Sequence, residues 1–213
     1  KRQHIHIIDA ELMGKGEKEK KDLYIEGVQN NGIINHYEYI INSEGTIEIR
    51  HVLKPEGKMP LWFPRIGLTL TVSDALDQVK WYGRGPQENY PDRKTGYPTG
   101  IYASTVQAMY EPYLMPQDYG LRTDVRWLQL TTDKGIGLQF KMNEWFNFNI
   151  YPYSTDNLTK AMYTYQLQKQ KGMTLNLDYA TTGVGCTARG VFGAYKAMPQ
   201  EYRRTISIKP MMK

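Results

Sequence analysis

The chain has 213 residues, an ordinary apolar content and a formal net charge of +5. This composition is typical of a folded protein, and the length suffices for one large β domain. The single cysteine excludes an intrachain disulfide and a cysteine-based zinc site, and no apolar run approaches the roughly 20 residues of a membrane helix.

The first third of the chain predicts a meander of antiparallel strands. In the fourth predicted strand, strict alternation places Ile47, Ile49 and Leu53 on the inward face. The mixed lysine and glutamate run at 15–21 predicts a solvated hairpin tip. A nucleic-acid surface would need stacking aromatics among the cations, so no nucleic-acid partner is expected. The strands are predicted at 5–12, 23–28, 33–41, 46–53 and 65–72, with a tight turn at 30–32.

The second half continues the β pattern. Residues 121–131 and 136–142 flank the turn 132–135, which predicts a hairpin. Residues 110–120 are punctuated by prolines, and a residue that precedes proline avoids helical angles, so this stretch is expected to be extended. Further strands are predicted at 79–82, within 94–109, and at 145–151, 172–179 and 203–209.

One stretch favours a helix. Ser154 or Thr155 can cap a short helical turn at 155–161, and a strand is predicted to follow through residues 163–167. Roughly a dozen short strands with almost no helix indicate an all-β, two-sheet sandwich. We expect residues 1–213 to form a single domain.

The most informative stretch follows Val79. Val79 and Trp81 lie on one face of a strand that ends at two glycines and a proline, and a charged loop follows at residues 83–93, the central loop. Its carboxylates, Glu88 and Asp92, could form the paired acids of a glycosidase, which are about 5–9.5 Å apart. Arginines at 84 and 93 favour the other interpretation, in which ion pairs hold the loop.

Other catalytic or metal-binding sets are weak. His4 and His6 share one strand face, but no further ligand stands at a supporting spacing, so no metal site is predicted. A Gly-x-Ser-x-Gly nucleophile motif is absent from the sequence. His36, Glu48 and His51 could serve an epimerase of the mutarotase type, but nothing in the sequence brings them together.

Several of these motifs together resemble one family. The segment WYGRGPQENYPDR at 81–93 is similar to the segment that marks the C-terminal domain of β-galactosidases of glycoside hydrolase family 2, also called the β-galactosidase small chain. The resemblance is specific, because the motif is long and unusual, and it extends to both sides. It continues in PRIGL at 64–68, YEPYLMPQDYGLR at 110–122, GMTLNLD at 172–178 and GVG at 183–185.

The resemblance implies a large antiparallel super-sandwich similar to galactose mutarotase-like domains. In the family this domain is the last of five, and the catalytic glutamates belong to a TIM barrel that also carries most of the magnesium and sodium sites. We therefore expect no catalytic residue, metal site or cofactor in this chain, and no hydrolysis by the chain alone. The barrel, the other domains of a longer chain and a galactoside substrate are the implied partners, while a cytoplasmic or periplasmic location and homo-oligomerisation of the parent are left open.

The resemblance also suggests a contact with substrate. A tryptophan of the family stacks on the sugar, and its aligned position here is Thr174, which offers no ring. Met173, Thr174 and Tyr179 are therefore the predicted residues of the substrate rim, with Tyr153 and Tyr163 as further aromatic candidates. An ordinary strand residue at 174, and an independent carbohydrate-binding module, are the alternatives.

The central loop is predicted to be structural rather than catalytic. We expect arginines or backbone amides to satisfy the carboxylates of Glu88 and Asp92. The residues assigned to this structural loop are Trp81, Glu88, Asn89, Tyr90, Asp92 and Arg93.

Overall fold

The computed structural model of the protein describes residues 20–27, 31–186 and 190–212. Strands dominate these stretches, and none of their helices has both the length and the apolar character needed to cross a membrane. The strands are β1 Lys20–Gly27, β2 Asn31–Ile41, β3 Ile47–Glu56, β4 Arg65–Val72, β5 Gln78–Arg84, β6 Thr99–Thr105, β7 Arg122–Thr131, β8 Gly137–Tyr151, β9 Met173–Thr181 and β10 Tyr202–Met211, with one α-helix, α1, at Thr155–Lys160.

Most predicted strands agree with the observed ones. The alternation in β3 is confirmed, since Ile49 and Leu53 are buried and Ile47 packs against the core. The hairpin of β7 and β8 is also confirmed, and its turn closes with a hydrogen bond from the amide of Thr132 to the carbonyl of Ile136 at 2.8 Å. The predicted strand at 5–12, the pair His4 and His6, and residues 15–19 of the lysine-rich run lie outside the described residues.

The long strand β8 joins two arms of the sheet. Its first part pairs with β10 and its last part with β9, while β7 pairs along its other edge. The register against β7 shifts between Val125 and Trp127, and such a bulge bends a strand. One arm therefore continues from β8 into β10, β3, β2 and β1, and the other into β9 and β4.

The two arms face each other across the core. His51 of β3 lies 2.7 Å from the hydroxyl of Tyr179 in β9, although these strands share no backbone pairing. The fold is therefore an all-β sandwich, as the sequence predicted. Large side chains that lie fully buried include Trp81, Phe140, Phe146, Phe148, Leu128, Leu130, Leu175 and Leu177.

Strand β9 is buried on both of its faces. Leu175 and Leu177 point into the core, whereas Asn176 and Asp178 point the other way and are also buried. The second face is covered by the proline-rich segment 110–120, where Asp118 contacts Asn149, and Leu158 of α1 packs beside it. Segment 110–120 forms no helix, as predicted, but it bends at residues 114 and 115 and is not extended throughout. Contacts among Tyr119, Tyr151 and Leu158 form a small separate cluster under this cover.

The segment between α1 and β9 corrects one prediction. Helix α1 is present and Ser154 caps it, since its hydroxyl accepts a hydrogen bond from the amide of Asn157 at 3.0 Å. The predicted strand at 163–167 is wrong, because this segment forms a 3-10 turn, Thr164–Gln166. The side-chain oxygen of Gln166 accepts hydrogen bonds from the amides of Met162 and Tyr163, so these amides need no neighbouring strand.

Candidate functional site

Trp81 anchors the start of the central loop. Its ring lies in the core beside Phe148, and its indole nitrogen donates to the carbonyl of Arg84 at 3.0 Å. The guanidinium of Arg122, which is itself buried, lies 5.4 Å from the Trp81 ring centroid. A large core side chain thus holds the point at which β5 ends.

Glu88 is buried and fully engaged. Its carboxylate accepts hydrogen bonds from Arg93 at 2.6 Å, the Tyr90 hydroxyl at 3.1 Å and the Gly120 amide at 2.9 Å, and it also accepts from the hydroxyl of Tyr113. Burial alone raises the pKa of this carboxyl, but the hydrogen bonds outweigh burial and the pKa of Glu88 lies below its usual value. Glu88 is therefore held as a carboxylate.

Asp92 is bound by backbone rather than by arginine. Its two carboxylate oxygens accept hydrogen bonds from the amides of Val184 at 3.0 Å and Gly185 at 2.7 Å. A Cβ at Gly183 would lie 2.3 Å from the Asp92 carboxyl carbon, so the chain can approach only because this position is glycine. The glycine-rich turn after β9 is thus shaped to receive Asp92.

Asn89, Tyr90 and Arg93 close the loop. The side-chain oxygen of Asn89 accepts hydrogen bonds from the amide of Thr123 at 3.1 Å and from its hydroxyl at 2.5 Å. The Arg93 guanidinium lies 5.2 Å from the Tyr90 ring centroid, and the amide of Arg93 donates to the carbonyl of Tyr90 at 2.8 Å. These contacts leave the loop little freedom.

Arg84 binds a partner that the sequence did not reveal. Its Nε atom donates to Asp124 at 2.6 Å, and Lys94 contacts the same carboxylate at 2.8 Å. Burial raises the pKa of Asp124, but Lys94 and Arg84 outweigh this effect and hold it below its usual value. Asp124 has a left-handed backbone angle, φ 54°, at the irregular start of β7, and no local pattern predicts that conformation.

A second polar cluster lies on the outer face of β9. Asp178 contacts Arg65 at 3.0 Å, and Arg65 also contacts Asp118 at 3.2 Å. The burial of Asp178 raises the pKa of its carboxyl above the usual value, and Arg65 opposes that rise. Asn149 donates to Asp118 at 3.0 Å, which ties the covering segment to β8. Sequence reasoning missed this cluster, although the alternation in β9 places Asn176 and Asp178 on one face.

His51 lies deep between the arms. Its ring stacks on Tyr37 with centroids 4.1 Å apart, and its nitrogens contact the Tyr179 hydroxyl at 2.7 Å and the Asn35 side-chain oxygen at 3.0 Å. Burial lowers the pKa of His51 to about 4, so the ring is neutral at neutral pH. Glu48 pairs instead with Arg50, at 2.8 Å, and therefore does not complete an acid–base pair with His51.

The predicted rim residues are buried. Met173, Thr174 and Tyr179 are 3%, 5% and 7% exposed, and the Thr174 hydroxyl donates to the carbonyl of Tyr153 at 2.8 Å. Exposed rings occur nearby in the segment before β9, where Tyr163 and Tyr165 are 57% and 79% exposed and stack at 5.5 Å. The assignment of the rim to residues 173, 174 and 179 stays a prediction.

Within residues 20–27, 31–186 and 190–212, no group of three or more histidine, cysteine, aspartate or glutamate side chains could hold a metal ion. The carboxylates described above instead have arginine, lysine, hydroxyl or amide partners. The candidate site is thus a pair of hydrogen-bonded clusters, one around Glu88 and one around Asp178, beside an exposed aromatic segment.

Comparisons with known proteins identify the family. Residues 4–208 match the family described as beta galactosidase small chain. The chain is similar to a beta-galactosidase of Priestia megaterium, with 38% identity over 147 residues, which are 69% of this chain and 14% of that protein. It is also similar to a beta-galactosidase of Vibrio cholerae, with 39% identity over 122 residues, which are 57% of this chain and 11% of that protein. The chain thus spans a small part of the length of these relatives, and it belongs to the beta galactosidase small chain family.

Proposed function

We propose that this chain is the C-terminal sandwich domain of a β-galactosidase that hydrolyses terminal non-reducing β-D-galactosides. The observation that carries the proposal is the family match over residues 4–208, together with relatives that bear this name and of which the chain spans 14%. In this proposal the domain completes the rim of the active site and stabilises the assembly with a catalytic barrel.

The catalytic carboxylates are proposed to lie outside this chain. A glycosidase acid must hold a proton near neutral pH, which requires a raised pKa. Glu88 has the opposite property, because its hydrogen bonds lower its pKa. Asp92 has both of its oxygens on backbone amides. Asp178 does have a raised pKa, but the residue is 1% exposed and its side chain is in contact with Arg65, so a substrate has no access to it. These contacts support a structural role for the central loop.

The substrate-facing surface is proposed to lie beside the first residues of β9. Met173 and Thr174 are buried, so they would act by holding the preceding turn in place. The rings available to a sugar are those of Tyr163 and Tyr165, which are exposed and parallel within 7°. A tyrosine ring presents an apolar face for a sugar ring and a hydroxyl for its oxygens.

The test is an assay of the 213-residue chain on a chromogenic β-galactoside. We expect no turnover above the uncatalysed rate, since the catalytic carboxylates are proposed to lie outside this chain. Turnover by the purified chain that disappears in Glu88→Gln, with the fold intact by circular dichroism, would contradict the proposal. A Tyr82→Phe variant, altered outside the loop, serves as the matched control.

An independent carbohydrate-binding module is the second candidate, and the exposed Tyr163 and Tyr165 pair favours it. It predicts that the chain alone binds galactosides in the millimolar range, and that Tyr165→Ala abolishes the binding. Under the first proposal the chain alone binds galactosides too weakly to detect, because the rim is completed by the barrel. Titration of the chain with a methyl β-galactoside, followed by NMR, separates the two.

A further inference from the structure

The outer face of the sheet carries a row of aromatic and apolar side chains. Across β8, β7, β5 and β6, the paired positions are Lys141, Trp127, Tyr82 and Ile101. Their inward neighbours, among them Trp81, fill the core, so this row faces outward. Ile101 is 62% exposed, and such a row on an outer face indicates a surface for contact.

One arginine fixes the geometry of the rings. The guanidinium of Arg126 lies 4.9 Å from the ring centroid of Tyr82 and 4.2 Å from that of Trp145. It also donates to the carbonyl of Asp124 at 2.6 Å. Trp145 is nevertheless 60% exposed. An exposed indole that is already held in one orientation loses little conformational entropy when a ligand stacks on it.

The charges on this face lack acidic partners. In the described part of the chain, no ion pair is found for Lys80, Lys141 or Arg126. The carboxylates closest in the chain to Arg126 and Lys141 are engaged elsewhere, since Asp124 binds Arg84 and Lys94, and Glu144 contacts Arg204 at 2.9 Å.

The outer face of β2 and β3 differs. There Arg50 contacts Glu38 of the neighbouring strand at 3.1 Å, which is the cross-strand charge pairing expected of a solvated sheet, and Glu48 of its own strand at 2.8 Å. The face that carries Trp127 and Trp145 thus combines unpaired cations with exposed rings, and charge complementarity calls for an anionic ligand.

We propose that this face binds an anionic glycan, a polysaccharide whose sugars carry carboxylates. Trp145 would stack on the apolar face of a sugar ring, and Arg126 and Lys141 would pair with the carboxylates. Gln129 and Gln139 pair across β7 and β8 next to this row, and their amides can donate to and accept from sugar hydroxyls. The inference goes beyond the proposed function and does not depend on it, because it uses other residues.

The test is calorimetric titration of the 213-residue chain with oligogalacturonate at low ionic strength. We expect saturable binding that weakens as salt is added, because the lysines and Arg126 contribute electrostatically. Trp145→Ala and Arg126→Gln should each lower the affinity about tenfold, the size expected for a lost stacking or charged contact. Phe192→Ala, which removes a ring that is 66% exposed in another segment, should bind like the wild type.

Any of four results would overturn the proposal. The first is the absence of saturable binding, and the second is an affinity that Trp145→Ala leaves unchanged although the variant unfolds thermally like the wild type. The third is equal or tighter binding of a neutral galacto-oligosaccharide of the same length. The fourth is tighter binding of single-stranded DNA that also depends on Trp145, which would assign the face to nucleic acid instead. None of these results bears on the proposed function, which the galactosidase assay of the chain tests separately.

Discussion

The two faces of β9 are both buried, but different interactions hold them. The inner face presents Met173, Leu175 and Leu177 to the core, where dispersion and the exclusion of water provide the stability. The outer face presents Asn176 and Asp178 to a hydrogen-bonded cluster beneath residues 110–120. The inner face therefore needs volume, whereas the outer face needs complete pairing of its polar groups.

This difference explains why the cover over β9 is specific. Buried polar groups cost free energy unless each one finds a partner, so the segment that covers them must bring those partners. Asp118 does so by contacting Arg65 and by accepting hydrogen bonds from Asn149 and the Tyr151 hydroxyl, the latter at 3.0 Å. An apolar cover would leave the outer face unsatisfied.

The largest effect is expected on the inner face. Leu177 is fully buried, and Leu177→Ala should lower the free energy of unfolding by about 3–4 kcal/mol through lost burial and the cavity left behind. Leu177→Met, which conserves volume, should cost less than about 1.5 kcal/mol. Urea unfolding of the two variants measures both values. Equal losses would show that volume is not what this face requires.

The next effect is a pH dependence of the free energy of unfolding, and it comes from His51, a polar residue buried between the arms. His51 has a pKa of about 4 in the fold and 6.5 when unfolded, so the unfolded chain binds more protons between these values. The stability due to neutral His51 is therefore present above pH 6.5 and falls as the pH is lowered towards 4, by about 3 kcal/mol in all. His51→Gln should lack this part of the pH dependence.

Other groups around His51 do not alter the sign. Tyr37, Tyr179 and Asn35 surround the ring, and the Arg204 guanidinium lies 5.7 Å from the Tyr179 ring. No carboxylate is among these groups, and burial is the cause of the lowered pKa of His51. The measurement is urea unfolding of the wild type and His51→Gln from pH 8 to pH 4. Parallel stability curves would contradict the prediction.

A smaller effect is expected on the outer face. Asn176 donates to the Asn149 side-chain oxygen at 2.8 Å and to the Tyr151 hydroxyl at 3.0 Å, and it accepts from Thr69 at 2.8 Å. Asn176→Ala should lower the free energy of unfolding by about 2 kcal/mol, because it leaves buried partners without hydrogen bonds. Tyr151→Phe should lower the free energy of unfolding less in the Asn176→Ala background than in the wild type. If the two losses are additive, the two side chains are not coupled and the cluster does not act as a unit.

The smallest effect is expected at Thr174. Thr174→Val keeps the branched shape but removes the hydrogen bonds with Tyr153 and Gln170, so it should lower the free energy of unfolding by about 1 kcal/mol. Thermal unfolding measures this loss, with Thr174→Ser as the control that keeps the hydroxyl. A stabilised Thr174→Val variant would show that these hydrogen bonds contribute nothing.

Local patterns were sufficient to predict most of the fold. Alternation over 65–72 predicts β4 because a strand repeats every two residues, and the Ser154 cap is visible because a cap acts within one turn of its helix. The strand expected at 163–167 was wrong because one side chain, Gln166, satisfies the local amides in place of a neighbouring strand.

The sequence by itself determined the class of the fold, the position of the central loop and the family resemblance, since these depend on residues that are close along the chain. Only the tertiary structure decided which groups the carboxylates of the central loop contact. Glu88 contacts Tyr113 and Gly120, and Asp92 contacts the turn after β9, across 25 to 93 residues of chain. The tertiary structure also decided that Thr174 is buried. Alternation along a strand assigns each residue to one of two faces, but it does not show which other segments cover those faces.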